Sequence, residues 1–331
     1  MHRLQVVLAS RPTGEPKESD FRLVETAVPE PGEGQLLVGS LWLSLDPYMR
    51  MRMNAGRSYT KPVEIGEVMV GGAVGEVLTS RHPAFSKGDQ VVGPLGWQTH
   101  AISDGTGLRR VEPKSIPLRA YLGAAGMPGV TAHVGLLDIG APKGGETVVV
   151  SAAAGAVGSV VGQIAKLRGC RAVGIAGGPP KCELVVGELG FDACVDYRAA
   201  DFEQQLAAAT PQGIDVYFEN VGGRVLDRVL LRMNDFGRIP LCGQISQYSA
   251  TEPYGVTNVG ALLVHRIKLQ GFIVGDHAER WPAALTDLER WIAEGRIKML
   301  ETIAEGLGKA PRAFIGMLRG ENIGKQLVRL A

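Results

Sequence analysis

The chain has 331 residues, of which 45% are hydrophobic and 21% charged, and a formal net charge of +1. That length exceeds one ordinary core and fits two domains. The near-zero charge, spread without a run of like charges, leaves no electrostatic case for nucleic acid or an anionic membrane as partner.

The N-terminal stretch MHRLQVVLASRPTG has an apolar part too short for a secretory signal. Residues 1–122 read as β-rich. Gln35–Ser44, Gly71–Leu78 and Gln90–Val92 are short apolar runs divided by turn chemistry such as PEPGEGQ and SKGDQV. An irregular, barrel-like module is expected there. Over 123–298 strands and helices alternate. Strands are predicted at Thr147–Val150, Arg171–Ala176, Ala193–Asp196, Ile214–Phe218, Gly237–Leu241 and Ile267–Gly271. Helices are predicted at Ala156–Arg168, Lys181–Leu189, Phe202–Ala209, Gly223–Leu231 and Ala283–Glu294. The fold class is therefore α/β: a doubly wound parallel sheet of Rossmann type beside a β-rich domain. Residues 299–331 hold a helix at Pro311–Leu318 and a strand at Gly324–Leu330, and are expected to return and complete the first domain. The four cysteines, Cys170, Cys182, Cys194 and Cys242, form no C-x-x-C pair. No disulfide framework is expected, and a reducing, cytoplasmic setting is.

The most informative stretch is ETVVVSAAAGAVGSVVGQIAK, Glu146–Lys166. A short β-branched strand runs into a small-residue turn and then a helix. Ala153, Gly155 and Gly158 occupy the three small positions of a G-x-G-x-x-G turn, with alanine at the first. Gly155 lets a pyrophosphate approach the backbone, and Gly158 lets the helix pack close to the strand. The free N–H groups and the positive end of the helix dipole would hold phosphates. Thr147–Ala165 carries no charge over a membrane-like length, but Ser151, three glycines and Gln163 interrupt it, so a membrane span is rejected.

A site for the unphosphorylated dinucleotide carries Asp or Glu at the end of the second strand, where it binds the ribose 2′-hydroxyl. Here that strand runs into Ile175-Ala176-Gly177-Gly178-Pro179-Pro180-Lys181, without a carboxylate. Lys181, at the start of the next helix, reads either as a solvated helix residue or as a ligand for a 2′-phosphate. The spacing favours the phosphate, hence NADP(H).

These residues belong to longer matching pieces: LSLDPYMRMRM, GMPGVTAHVGLLDIG, KGGETVVVSAAAGAVGSVVGQIAKLRGC, YFENVGG, GRIPLCGQIS and RGENIGKQLV. With them the chain resembles the zinc-independent medium-chain dehydrogenases/reductases, and within them the prostaglandin reductase, leukotriene hydroxydehydrogenase and alkenal reductase group. The resemblance implies a GroES-like first domain completed by the C-terminus. It implies cofactor contacts at Gly155, Ala156, Val157 and Gly158, and at Lys181 and Tyr197 near the adenosine phosphate. It further implies contacts at Asn220, Cys242, Gly243, Gln244, Ile245, Ser246 and Tyr248, at Phe272, Ile273 and Val274 beside the nicotinamide, and at Asn322. Cys242 also reads as a small buried hydrophobe.

The chain departs from the family in its GGPP loop, and in Val264, where some members carry a tyrosine. The catalytic hydroxyl is therefore assigned to Tyr59 and Tyr254, with the cofactor's ribose hydroxyl as a third candidate. Tyr48, Met49, Trp97 and Met127 are expected to line the substrate pocket. No metal is expected. Residues 1–120 lack cysteine, and Gly66-Glu67-Val68 stands at the family's histidine–glutamate position without the histidine. The implied reaction is hydride transfer to the β-carbon of an α,β-unsaturated ketone or aldehyde, in a cytoplasmic homodimer that takes a small-molecule enone or enal. The alternatives are a quinone reductase and, from another class, an NADP-binding sensor without turnover.

Overall fold

The computed structural model of the chain describes residues 2–56, 58–113 and 115–331. The chain divides into two compact units, one formed by the first 123 residues together with Glu301–Ala331, the other by Ala124–Leu300.

The first unit begins with β1 (His2–Leu8) and β2 (Phe21–Ala27), an antiparallel pair. Next come β3 (Leu36–Ser44), α1 (Tyr48–Arg52), β4 (Ala73–Ser80), β5 (Gln90–Gly93), β6 (His100–Ser103) and β7 (Arg109–Arg110). The β3–β4 ladder shifts register twice, between Leu37 and Val38 and between Ser40 and Trp42. Such bulges bend and twist a pair of strands. At Gly75 a Cβ would fall 2.2 Å from the Gly39 carbonyl oxygen, so only glycine admits this approach.

The second unit holds α2 (Met127–Val134), β8 (Thr147–Ser151), α3 (Gly158–Leu167), β9 (Arg171–Ala176), α4 (Pro179–Gly187), β10 (Ala193–Asp196), α5 (Phe202–Ala209), β11 (Ile214–Phe218), α6 (Gly223–Leu230), β12 (Met233–Leu241), α7 (Gly260–Val264), β13 (Lys268–Gly271) and α8 (Trp281–Ala293). Its six strands run in the order β10-β9-β8-β11-β12-β13, all parallel. Alternation along β8 sends Val148 and Val150 into one apolar cluster, with residues of α2, α3 and α8, and Val149 into the other, with residues of α5 and α6. The helices thus cover both faces. Strand order reverses between β8 and β11, where ligands of doubly wound sheets bind.

The chain then returns to the first unit as β14 (Glu301–Glu305), α9 (Ala310–Leu318) and β15 (Lys325–Arg329). The mixed sheet there has the order β14-β15-β3-β4-β5-β7, with β6 on β3. On β15, Lys325 is buried, and its Nζ donates to Asp46 Oδ1 and to the Leu45 carbonyl, both at 2.6 Å. Ser44 Oγ donates to the other carboxylate oxygen. Burial pushes the Lys325 ammonium down from its ordinary value, against the attraction of Asp46. Loss of either member would strand a desolvated charge.

The structure reproduces Arg171–Ala176, Ala193–Asp196, Ile214–Phe218 and Phe202–Ala209 residue for residue. It starts α3 at Gly158 instead of Ala156, because residues 152–157 belong to the turn. It starts β12 at Met233 instead of Gly237. The β11–β12 register shifts between Ile214 and Val216, and Phe236 has φ of +61°, an irregularity that hid the first half of the strand. Strands β1, β2 and β14 and helix α2 were not read from the sequence. Strand β2 is mostly exposed and lacks a clear apolar alternation. The α2 region is rich in glycines that serve packing: a Cβ on Gly129 would fall 1.9 Å from the Ala124 carbonyl oxygen.

Candidate functional site

In the second unit, β8 ends at Ser151 and the chain turns through residues 152–157 into α3. Ala152 takes φ of +51°. A Cβ on Gly158 would lie 2.3 Å from the Ala152 carbonyl oxygen and 2.9 Å from its carbon, and one on Gly155 would lie 3.1 Å from the same oxygen. The turn requires glycine at 158, and the tight fit at 155 favours it there. The amide hydrogens at the start of α3 lie just beyond it, with the positive end of a ten-residue helix behind them.

This turn is braced by Glu219, the residue after β11, which is fully buried. Its Oε1 accepts from Ser151 Oγ at 2.9 Å, Val221 N at 2.5 Å and Gly222 N at 3.0 Å. Its carbonyl accepts from Cys242 N and Gly243 N at 2.9 and 3.2 Å. Asn220 completes the brace, its N donating to Ser151 Oγ and its Nδ2 to Ser151 O, each at 2.8 Å. One residue thus ties together the carboxyl ends of β8, β11 and β12. Oε2 makes no hydrogen bond among the described residues. Burial outweighs the donated bonds and holds this carboxyl above the ordinary glutamate value. It pushes the Cys242 thiol up as well, to about 12, with Glu219 adding to the effect, so Cys242 is a neutral thiol at physiological pH.

The segment after β12 lies along the same brace. Ile245 N donates to Asn220 O and Ser246 N to Val221 O, both at 3.1 Å, and Gln244 N donates to the Tyr248 hydroxyl at 3.2 Å. After β13, Ile273 remains part-exposed, while Phe272 is buried with its ring edge-on to Phe218 at 6.3 Å. Val274 is half-buried and its carbonyl accepts from the Trp281 indole at 3.2 Å.

At the ends of β9 and β10 the loop of Gly177 and Gly178 is fixed by Asp196. Its Oδ1 accepts from Gly178 N at 2.8 Å and from Arg198 N at 3.0 Å. A Cβ on Gly177 would meet the Tyr197 ring at 3.0 Å and the Arg198 guanidinium at 3.1 Å, so both side chains lie against this loop. Lys181 is half-buried at the start of α4. Burial, and next the Arg198 guanidinium, push its ammonium below the ordinary lysine value. Two cations therefore lie near this loop, close enough for the Arg198 charge to act on Lys181.

Tyr254 donates its hydroxyl to Asp227 Oδ2 at 3.0 Å. Asp227, on α6, also accepts from Thr257 N, Thr257 Oγ1 and Asn258 N at 2.7–2.9 Å. The bond to this carboxylate raises the Tyr254 phenol above its ordinary value, which makes it a poorer acid. Met127, at the start of α2, is half-buried.

In the first unit, Tyr48 is half-buried at the start of α1, and burial followed by the Asp46 charge raises its phenol far above the ordinary value. Arg50 orders the same loop, donating to Asn54 Oδ1 at 2.5 Å and Gly14 O at 2.7 Å. Tyr59 is 55% exposed. Asn322 donates to the Gly324 carbonyl at 2.8 Å, in the turn before β15. Two residues expected in the substrate pocket belong instead to the interior. Met49 and Trp97 have no exposed surface, and the Trp97 ring stacks on Phe21 and meets Phe314 edge-on, both at 5.6 Å. Their apolar bulk fills the core.

The second unit thus gathers Gly155–Gly158, Asn220, Cys242–Tyr248 and Phe272–Val274 beyond strand ends, with Lys181 and Tyr197 beyond β9 and β10. Sequence reasoning missed Glu219, Arg198, Asp196 and Asp227. Glu219 had a signal, a carboxylate set directly after the apolar run of YFENVGG. No group of three or more His, Cys, Asp or Glu side chains placed to hold a metal ion occurs among the described residues.

Glu219→Ala is expected to lower stability by about 1–3 kcal/mol, since buried donors lose their acceptor, and Glu219→Gln to recover most of that loss. Because the folded chain keeps the Glu219 proton longer than the unfolded chain, wild-type stability should fall as pH rises above the ordinary glutamate value. Urea titrations at several pH values check this, and the Glu219-dependent part of that slope should vanish in Glu219→Gln.

Known proteins place these features. Residues 4–111 match the family model described as the N-terminal domain of oxidoreductase, and residues 156–290 match that described as zinc-binding dehydrogenase. The NADPH-dependent curcumin reductase of Escherichia coli K12 is 50% identical, over 98% of this chain and 96% of its own length. The NADP(+)-dependent 2-alkenal reductase of Nicotiana tabacum is 44% identical, over 99% and 97%. The crystal structure of CurA from Vibrio vulnificus in complex with NADPH is 50% identical, covers 99% of each chain and superposes with a TM-score of 0.94. On this near-complete likeness, the chain belongs to the medium-chain dehydrogenase/reductase family, among its zinc-independent reductases.

Proposed function

We propose that this chain is an NADPH-dependent reductase of the carbon–carbon double bond of α,β-unsaturated ketones and aldehydes. The observation that carries the reading is the pair of cations, Lys181 and Arg198, at the loop after the second strand of a glycine-turn site. A 2′-phosphate brings close to two negative charges, which two cations neutralise and a carboxylate would repel. The full-length likeness to a curcumin reductase and a 2-alkenal reductase supports the substrate class.

The residues present fit the cofactor. Gly155 and Gly158 leave the turn open to a pyrophosphate, the amides of α3 face it, and Asn220 with Cys242–Tyr248 continue the wall. Bound NADPH supplies a hydride to the β-carbon of the substrate. The negative charge that then grows on the carbonyl oxygen is delocalised as an enolate, and one positioned hydroxyl can meet it. We assign that hydroxyl to Tyr59, because the bond to Asp227 raises the Tyr254 phenol and makes it a poorer acid. Tyr48 and Met127 keep the pocket role, and Met49 and Trp97 lose it. The reaction needs no compartment beyond a reducing one, and all four cysteines are free thiols, which supports a cytoplasmic setting. No helix among the described residues is long and apolar enough to cross a membrane.

The homodimer is proposed through β13. That strand is one of the two edges of the parallel sheet, and beside it in sequence Val259, Leu263 and Val264 are 52%, 83% and 62% exposed. Apolar surface next to an open edge calls for a partner, and a two-fold pairing of β13 with its copy supplies one.

Rates of NADPH oxidation on an alkenal, an enone and a quinone test the reaction: the unsaturated carbonyls should be the faster substrates, and a faster quinone overturns the reading. Lys181→Ala should weaken NADPH binding about ten- to a hundredfold, the loss of a charge-assisted contact worth about 1.5–3 kcal/mol, with NADH binding unchanged. Arg198→Ala should act in the same direction. Tyr59→Phe should lower kcat by about tenfold or more, as for loss of an oxyanion donor, with NADPH affinity intact and a smaller effect in Tyr254→Phe. Light scattering should find a dimer that Leu263→Asp converts to monomer.

A further inference from the structure

Two thiols meet beneath the adenosine-phosphate loop. Cys182 lies in the first turn of α4 and Cys194 is the second residue of β10. The Cys194 thiol donates to the Cys182 sulfur across 3.0 Å. Both side chains are half-buried, so neither is sealed from a small oxidant. The other two cysteines differ: Cys170 is buried with its thiol donated to the Lys143 carbonyl, and Cys242 lies beside Glu219.

We propose that Cys182 and Cys194 form a reversible disulfide site, oxidised by a hydroperoxide, and that its closure loosens the grip of α4 on the 2′-phosphate of NADPH. The roles follow from the hydrogen bond. It lowers the Cys182 thiol from its ordinary value and raises that of Cys194. The start of a helix also favours a thiolate. Cys182 is therefore the attacking sulfur and Cys194 the resolving one. The Cys182 thiolate attacks the peroxide oxygen, the O–O bond breaks, and the sulfur becomes a sulfenic acid as water leaves. The Cys194 sulfur then attacks that sulfur, the S–O bond breaks and a second water leaves. In sum two thiols and one hydrogen peroxide give one disulfide and two waters, a two-electron oxidation of the protein. A thiol reductant reverses it.

A disulfide bond is about 2.05 Å long, so the sulfurs must close by about 1 Å and adopt the bond's own dihedral, an adjustment shared between side-chain rotation and the first turn of α4. Neighbours translate that movement. Lys181 precedes Cys182 on α4, and Asp196, two residues beyond Cys194, holds Gly178 and Arg198. Drawing Cys182 toward β10 turns the first helical turn and carries Lys181 from its place. This part rests on the reading of Lys181 as a phosphate ligand.

The test uses the full chain. Reduced protein is treated with hydrogen peroxide, digested without reductant and analysed by mass spectrometry. The expected product is a peptide pair joined through Cys182 and Cys194, two hydrogens lighter than its parts and released by dithiothreitol. In Cys194→Ser, Cys182 should instead be trapped by dimedone. NADPH should bind the oxidised protein more weakly by about threefold or more, with full recovery on reduction. Absence of the joined pair overturns the proposal. So does a joined pair with unchanged NADPH affinity in a protein whose Lys181→Ala variant binds NADPH weakly. A Lys181→Ala variant that binds NADPH normally overturns the phosphate reading of that lysine instead.

Discussion

The second unit depends on a buried carboxyl. Glu219 collects a hydroxyl and two amides on one oxygen and two more amides on its carbonyl. Three strands of a parallel sheet end side by side there, each leaving amides without a ladder partner, and a buried orphan amide is costly. One residue, through its carboxyl and its carbonyl, meets the amides beyond β11 and β12 and ties in the Ser151 hydroxyl at the end of β8. The glycine turn can then stay open, because its shape is fixed from behind and not by a side chain that would occupy the phosphate's space. The upward shift of this carboxyl follows from the same burial, since a neutral acid is far cheaper to bury than a carboxylate without a counter-ion.

Electrostatics divides the site. Among the described residues no cation acts on Glu219, and the amide dipoles there are spent internally. Around Gly177 and Gly178 cations gather instead: Asp196 accepts from the Gly178 and Arg198 amides, and the Arg198 guanidinium is close enough to Lys181 to contribute to lowering its ammonium. Like charges held together in a partly desolvated place are unfavourable until an anion joins them. That is a binding preference stored in the free protein.

The parts legible in the sequence were those whose signal is local. Gly155 and Gly158 announce the turn because close approach of α3 to β8 forces glycine at fixed spacing, and Thr147–Val150 announces a strand covered on both faces. The cations were half legible: Lys181 follows the loop directly, while Arg198 arrives from the end of a different strand, and only the β9–β10 pairing brings it there. Glu219 stood in plain sight within YFENVGG, yet its donors Ser151 and Cys242 lie on two other segments that folding brings to it. Trp97 was misplaced because its partners, Phe21 and Phe314, come from opposite ends of the chain. A tryptophan's composition says nothing of which rings it will stack on. Tyr254 likewise read as an available acid, and only folding brings Asp227 to accept its hydroxyl hydrogen bond.

The closing strand of the first unit has an implication for biosynthesis. Ala124–Leu300 is one uninterrupted stretch and can fold as soon as it leaves the ribosome, whereas Asp46 must wait for an ammonium 279 residues downstream. At about 5–20 residues per second that interval is on the order of tens of seconds. Through it the nascent chain carries a half-built mixed sheet with the β3 edge open. The later-translated unit matures first, and the earlier one is finished only by Glu301–Ala331, so chaperone protection is needed most by the half of the enzyme that was synthesised first.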